Sequence, residues 1–429
     1  MNMRGSIGKI RVDWVSIGLY LLLVFVGWIN IYSSTVTENH SSIFDFSTIY
    51  GKQLFFIGIS LCAAGFIFIV NTKAFERFTA IYYFTALLLL IGLFVFGKTI
   101  AGATSWYNLG FFNFQPSELA KIATALALAK YLSDILTDIK KTLHAAIAFA
   151  ILLIPALLVI PQPDPGSALV FFALSFVLFR EGFSLKLFWG VFGAILLFIA
   201  VLKWGVIWSI GGLVLGGGLG FILKPKRIKW FWTKLGLGIL TSVVFATSVN
   251  YVFNGVFEQR HRDRFSLWLD LEKDPEVLEK INRSIGYNTY QSTEAIRAGG
   301  FFGKGFLEGT RTKGDFVPEQ HSDYIFSTLG EEWGFVGTTG VVLLFTALLL
   351  RLLFLSERQS HSFNRIFGYG VVSILGIHYI INIGMVLGLL PTIGIPLPYL
   401  SYGGSGMLGF TLLLFIFLKL DGNRLKEWD

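Results

Sequence analysis

The chain has 429 residues, 54% hydrophobic and only 14% charged, with a mean hydropathy of +0.66. Soluble domains carry about 25% charged residues, so a water-soluble enzyme is nearly excluded and a polytopic helical membrane protein is expected. The net charge of +8 then encodes orientation in the bilayer rather than a nucleic-acid partner.

Hydropathy and helix breakers place spans near 14–33, 52–70, 78–97, 117–133, 143–160, 167–179, 186–203, 205–223, 232–254, 332–355, 366–387 and 401–418, about twelve in all. The first follows Arg4, Lys9 and Arg11 as a signal peptide would, but its length marks a retained span. The eighth is rich in glycine (Gly216, Gly217, Gly218, Gly220) and reads equally as a broken or re-entrant helix. Short segments on one side of the membrane hold 20 Lys/Arg, against Lys52, Lys98 and Lys203 in the short loops of the other side. Both termini are therefore expected in the cytoplasm. The single cysteine, Cys62, lies in an apolar stretch, so no intrachain disulfide forms.

The one sizeable polar segment is an extracytoplasmic loop over 255–330, whose ten Lys/Arg are offset by twelve Asp/Glu. It is no basic nucleic-acid footprint. Within it Asp274 and Pro275 predict a short helix to Asn282.

Four segments on the outer side are richer in unusual residues than connectors need. The first runs from Gly102-Ala103-Thr104-Ser105-Trp106 to Gln115-Pro116-Ser117-Glu118-Leu119-Ala120-Lys121. Pro116 suits a first helical position, and Glu118 and Lys121 share a face at the helix entrance, as an anchoring ion pair or as part of a wet site. Trp106 fits an interfacial belt or a substrate platform. In the second, Pro161-Gln162-Pro163-Asp164-Pro165-Gly166, Asp164 reads as a helix cap or a held carboxylate. The third, 299–334, opens with Gly299-Gly300-Phe301-Phe302-Gly303-Lys304-Gly305, whose glycines permit close backbone approach or an anion nest without P-loop spacing. It continues through Phe316-Val317-Pro318-Glu319-Gln320-His321-Ser322-Asp323-Tyr324-Ile325-Phe326, where a carboxylate at the membrane mouth can act as a base. His321 and Asp323 alone make a weak metal site. The fourth, 388–405, is apolar yet broken by Pro391, Pro396 and Pro398, a backbone that must be buried in protein or line a cavity.

These four segments, in this order, resemble the signatures of the SEDS family (shape, elongation, division and sporulation) from about Trp14 to Leu418. The resemblance implies an all-α, polytopic SEDS-like core of ten helices, to which the pair over 205–254 would be an addition within a single transmembrane domain, 1–429. It implies a peptidoglycan glycosyltransferase polymerising lipid II at the outer face of the bacterial cytoplasmic membrane, inverting, with the nascent glycan strand as co-substrate. Implied partners are a class B penicillin-binding protein, other elongation-complex proteins and membrane lipid, with no nucleic acid. Asp323 matches the family's essential aspartate and would be the base. Trp106, Glu118, Lys121, Asp164, Lys304, His321 and Ser401 would bind substrate, with Lys121 and Lys304 as candidate cations for the diphosphate leaving group. No metal ligands are assigned and no cofactor is certain; a divalent cation stays open. Asn113 stands where relatives often have arginine, and Pro165 where leucine or phenylalanine is usual.

Two other readings share these residues: a lipid II flippase, and a scaffold that only activates the crosslinking partner. The clustering on one membrane face favours the enzyme. Elongation is preferred over the family's division role.

Overall fold

The computed structural model describes residues 12–36, 42–100, 102–110, 112–223, 231–255, 259–271, 274–282, 286–314 and 320–424. The expected Pro318-Glu319 stretch and the basic residues Arg4, Lys9, Arg11, Lys224, Lys226, Arg227 and Lys229 lie outside them. In chain order the elements begin with α1 (Trp14–Thr35), α2 (Ile49–Ile69), α3 (Thr72–Arg77) and α4 (Thr79–Phe96), followed by β1 (Lys98–Ile100), β2 (Ala103–Asn108) and β3 (Asn113–Phe114). Next come α5 (Pro116–Leu132), α6 (Thr142–Val159), α7 (Pro165–Ala173), α8 (Ser175–Arg180), α9 (Leu185–Leu223), α10 (Phe231–Gly255), α11 (Gln259–Leu269) and α12 (Pro275–Asn282). The chain closes with α13 (Tyr287–Gly299), α14 (Thr310–Lys313), α15 (Ile325–Glu357), α16 (Ser362–Val386) and α17 (Gly404–Gly422). This is an all-α polytopic membrane fold carrying one small sheet.

Among the described residues nine helices are long and apolar enough to cross a membrane. The difference from twelve has three sources. Helix α5 has 17 residues, and the expected sixth span is divided at Leu174 into α7 and α8. The seventh and eighth are two helical segments that meet at a non-helical Gly205 (φ 81°, ψ 168°), a conformation a side chain would disfavour, and together they make up α9. Helix α15 likewise joins two helical segments across a non-helical Gly334 (φ 62°, ψ −158°), and the span expected from near 332 begins at this break.

Local chemistry explains the element ends. Asp13 caps α1 by accepting from Ser16 N at 3.0 Å, and Asp164 caps α7 by accepting from Ser167 N at 2.9 Å with Pro165 in the first turn. Pro155 inside α6 cannot donate to Ile151 O, and the Tyr83 hydroxyl of α4 does so instead at 2.8 Å. The sheet β1-β2-β3 is antiparallel, with Lys98 opposite Trp106 and Asn108 opposite Asn113. It was not expected from a stretch this short and glycine-punctuated. Gly102 (φ 83°) and Gly110 (φ 86°) turn its corners.

The chain divides into two compact units. The first comprises 1–183, 291–387 and 393–429; the second comprises 184–290 and 388–392. The first is built around Leu23, Phe345, Leu348, Phe367, Leu414 and Phe417, all fully buried. Its α1 approaches the 399–400 backbone so closely that a Cβ on Gly27 would lie 2.5 Å from Leu400 Cα. Large apolar side chains such as Phe84, Leu88 and Val95 stay exposed on the spans, where lipid is their solvent. The second unit contains the 205–254 stretch expected as an added pair. Val201, Ala246 and Val249 form its buried cluster, and Trp268 Nε1 donates to Leu389 O at 2.9 Å.

At the other end of the first unit from its irregular loops, Arg351 of α15 meets Asp13 at 2.5 Å. Burial pushes the Asp13 carboxyl up, but hydrogen bonds from Arg351 and Ser16 outweigh it and hold the group below its ordinary 3.8. A carboxyl lowered by folding stabilises above its unfolded pKa and loses that contribution as pH falls through the folded value. Asp13→Asn is expected to lower stability by about 1–2 kcal/mol at pH 7. In thermal unfolding of the detergent-purified protein, the deficit relative to wild type shrinks as pH drops below about 4.

Candidate active site

The site is built in the first unit, where the irregular loop 393–403 meets the entrances of α5, α7 and α15. Pro116 opens α5, placing Glu118 in the first turn and Lys121 one turn deeper. Both are buried, 4% and 2% exposed, and Lys121 Nζ lies 2.8 Å from Glu118 Oε1. The same ammonium is 3.0 Å from His378 Nε2 of α16, and His378 Nδ1 is 3.1 Å from Pro396 O. A carbonyl can only accept, so Nδ1 carries the proton and Nε2 accepts from Lys121. The ring of Phe410 stands 5.2 Å from Lys121 Nζ and edge-on to His378.

One turn along the same face of α16 is Asn382, fully buried. Its Nδ2 donates to Asp323 O at 2.8 Å and to Ile395 O at 2.7 Å. The 393–396 strap is thus fixed by consecutive carbonyls, Ile395 and Pro396, to two side chains of one helix. A Cβ on Gly394 (φ 78°) would be 3.2 Å from Asp323 Oδ2, so the carboxylate lies directly against this strap. Gly166 of α7 lets the strap close down, since its Cβ would be 2.3 Å from Ile395 Cγ2. Asp323 is half-buried at the head of α15.

The remaining expected residues hold this frame. Asp164 Oδ2 accepts from Gln115 Nε2 at 3.0 Å, joining the α7 cap to the α5 entrance. Ser401 Oγ accepts from Leu397 N at 2.8 Å and closes the loop's last turn. His321 O accepts from Tyr402 N at 2.8 Å, with the two rings edge to face. Trp106 sits on β2, a strand tied to the 160–164 turn where Thr104 N donates to Gln162 O at 3.1 Å. Among the described residues no cluster of three His, Cys, Asp or Glu could hold a metal ion.

Lys304, expected as a candidate cation for the leaving group, is paired within the protein. Its Nζ donates to Glu331 Oε1 and Thr310 Oγ1, each at 2.7 Å. Glu331 is fully buried, and its Oε2 also accepts from Thr312 N and Oγ1 at 2.8 Å. The glycine-rich segment is likewise bonded within the protein: Lys304 N and Gly305 N donate to Glu331 O and Glu332 O at 3.0 Å. Phe335 N and Val336 N, released by the break at Gly334, donate to Gly300 O and Phe301 O. Gly303 makes this possible, since a Cβ there would be 2.1 Å from Glu332 O. Four participants were not anticipated: His378, Asn382, Glu331 and Gln53, whose amide bridges Ser401 O and Gly403 N. Polar residues in otherwise apolar spans were the available signal for the first two.

The fold and site define a polytopic membrane protein with a buried ionic core beneath an exposed-edge carboxylate. Residues 13–212 and 213–425 match the cell cycle protein family of FtsW, RodA and SpoVE, and the chain belongs to that family. It is 33% identical over 354 residues to the peptidoglycan glycosyltransferase MrdB of Escherichia coli (strain K12), spanning 81% of this chain and 80% of that one. It is 29% identical over 441 residues to the peptidoglycan glycosyltransferase RodA of Treponema pallidum, spanning 96% and 98%. Among solved structures, a chain from a study of polymerization and crosslinking by a peptidoglycan synthase complex matches with a TM-score of 0.68 and 25% identity, over 96% and 98% of the two chains. RodA of Thermus thermophilus matches with a TM-score of 0.61 and 24% identity, over 97% and 98%.

Proposed function

We propose that this chain is a peptidoglycan glycosyltransferase that polymerises lipid II during cell elongation, with Asp323 as general base. The supporting observation is the placement of Asp323, backbone and carboxylate both set against the 393–396 strap at the head of α15. The activity is that named for MrdB and RodA, to which the chain is related over most of its length. The 33% identity to MrdB, against 31% to the FtsW of Tolumonas auensis and 28% to that of Geobacter, favours elongation over division.

In the reaction, the acceptor sugar's 4-hydroxyl oxygen attacks the anomeric carbon of the donor. The bond from that carbon to the diphosphate oxygen breaks, the configuration inverts, the hydroxyl proton passes to Asp323, and undecaprenyl diphosphate leaves. Lys121 is already paired with Glu118 and His378, which favours its anchoring role over direct service to the leaving group. A class B penicillin-binding protein is the crosslinking partner, a reading supported by the structural similarity to a chain of a synthase complex.

The test is to incubate purified protein and its cognate partner with labelled lipid II, following glycan length on gels and undecaprenyl diphosphate released. Release of one undecaprenyl diphosphate per disaccharide joined supports the enzyme. Lipid II movement across vesicles with no glycan formed would replace it with the flippase reading.

A further inference from the structure

We infer that Asn382 is a positioning residue for the glycosyl transfer, a donor clamp that sets Asp323 against the 393–396 strap. The inference rests on the reading of Asp323 as the base. Two carbonyls from segments more than seventy positions apart in sequence, Asp323 and Ile395, converge on one nitrogen at 2.8 and 2.7 Å. Both are acceptors, and among side chains only an amide, an ammonium or a guanidinium nitrogen donates two protons from one atom. The amide does so without adding a charge to a fully buried position. Because both neighbours accept, the nitrogen end of the amide is fixed on this side; among the described residues Oδ1 has no hydrogen-bond partner. The side chain is therefore held here for what it donates.

The clamp acts where small displacements matter. Asp323 Oδ2 is 3.2 Å from the Cβ position of Gly394, the residue directly before the clamped carbonyl of Ile395. His378, one turn away on α16, holds the next carbonyl, Pro396 O, at 3.1 Å. With both in place the strap is held against sliding along α16, and the backbone that carries the Asp323 carboxylate is tied to the same nitrogen as the strap. Displacing a reacting group by about 1 Å can cost about 10²-fold in rate. Binding of the two sugars, which depends on a much larger surface, is little affected.

The test uses full-length protein in complex with its partner, with rates expressed per folded complex after size-exclusion chromatography. Asn382→Leu, of similar volume with no donor, should lower kcat about 10²-fold. Asn382→Ser, which keeps one donor and admits water, should lower it about tenfold. KM for lipid II should stay within about threefold in both, a split that general loss of structure would not produce. Gly394→Ala gives a second route: it leaves Asn382 intact, sits on an exposed backbone position, and should also lower kcat by crowding Asp323 Oδ2. Wild-type kcat in a folded Asn382 variant, or a raised KM with kcat intact, overturns the clamp. Should neither Asn382 variant fold, wild-type kcat in Gly394→Ala overturns it. Asp323→Asn is run alongside: polymerisation by that variant would remove the base assignment itself, whereas an inactive Asp323→Asn beside a fully active Asn382 variant removes only the clamp.

Discussion

Asp323→Asn is expected to reduce lipid II polymerisation by about 10²–10⁴-fold, the range that removal of a general base typically produces. The substitution keeps the side chain's shape and removes its capacity to take a proton. It leaves the backbone carbonyl of Asp323 in place, so the hydrogen bond from Asn382 at 2.8 Å is unaffected. Stability should therefore remain within about 1 kcal/mol of wild type, since the exchange is isosteric and the residue is half-buried. Thermal unfolding and co-purification with the penicillin-binding partner check the fold, and a gel of labelled glycan checks the rate. Glycan of wild-type length and yield from the variant would move the base to another carboxylate. Glu118 is then a poor substitute, because its carboxylate is engaged with Lys121 and 4% exposed. Asp164, with one oxygen on Ser167 N and the other on Gln115, is also committed.

The spans were legible because hydropathy alone reports a bilayer crossing, and because proline and capping residues mark helix entrances at Pro116 and Asp164-Pro165. Breaks were legible too where glycine marks them: Gly205, at the boundary between two expected spans, is non-helical and separates two helical segments. The span expected from near 332 likewise begins at the non-helical Gly334, with Glu331 and Glu332 in the helical segment just before it. Those carboxylates are tolerated inside α15 because Lys304, Thr312 and Ser33 donate to them, and none of these partners is identifiable from one chain. The site residues divide similarly. Glu118, Lys121 and Asp323 stood out as ionisable groups at helix entrances. His378 and Asn382 were visible as a polar pair four residues apart in an apolar span, but their meaning depends on the strap carbonyls they meet, which only the folded backbone supplies. Lys304 was assigned from its glycine-rich surroundings, and those glycines prove to be contacts of backbone with backbone.

Glu118→Gln is expected to destabilise the protein by about 3–5 kcal/mol, since it leaves the Lys121 ammonium buried without its counter-charge. The pair is 2.8 Å apart with side chains 5% and 2% exposed, so water screens it little. Replacing both partners, as Glu118→Gln with Lys121→Met, removes the uncompensated charge while keeping volume, and should restore thermal stability to within about 1 kcal/mol of wild type. Polymerisation should not return with it. Lys121 also donates to His378, whose other nitrogen holds Pro396 O in the strap that borders Asp323. Methionine ends that chain of hydrogen bonds, leaving His378 Nε2 without a donor, so the strap is held by Asn382 and its neighbours alone. The double variant should then fold and bind its partner with kcat reduced by about tenfold or more. Thermal unfolding in detergent and glycan synthesis on the same preparations separate the two effects. Recovery of both stability and rate would make the ion pair a helix anchor with no connection to Asp323. Recovery of stability alone joins the buried charges of α5 to the carboxylate at the head of α15 through a single turn of α16.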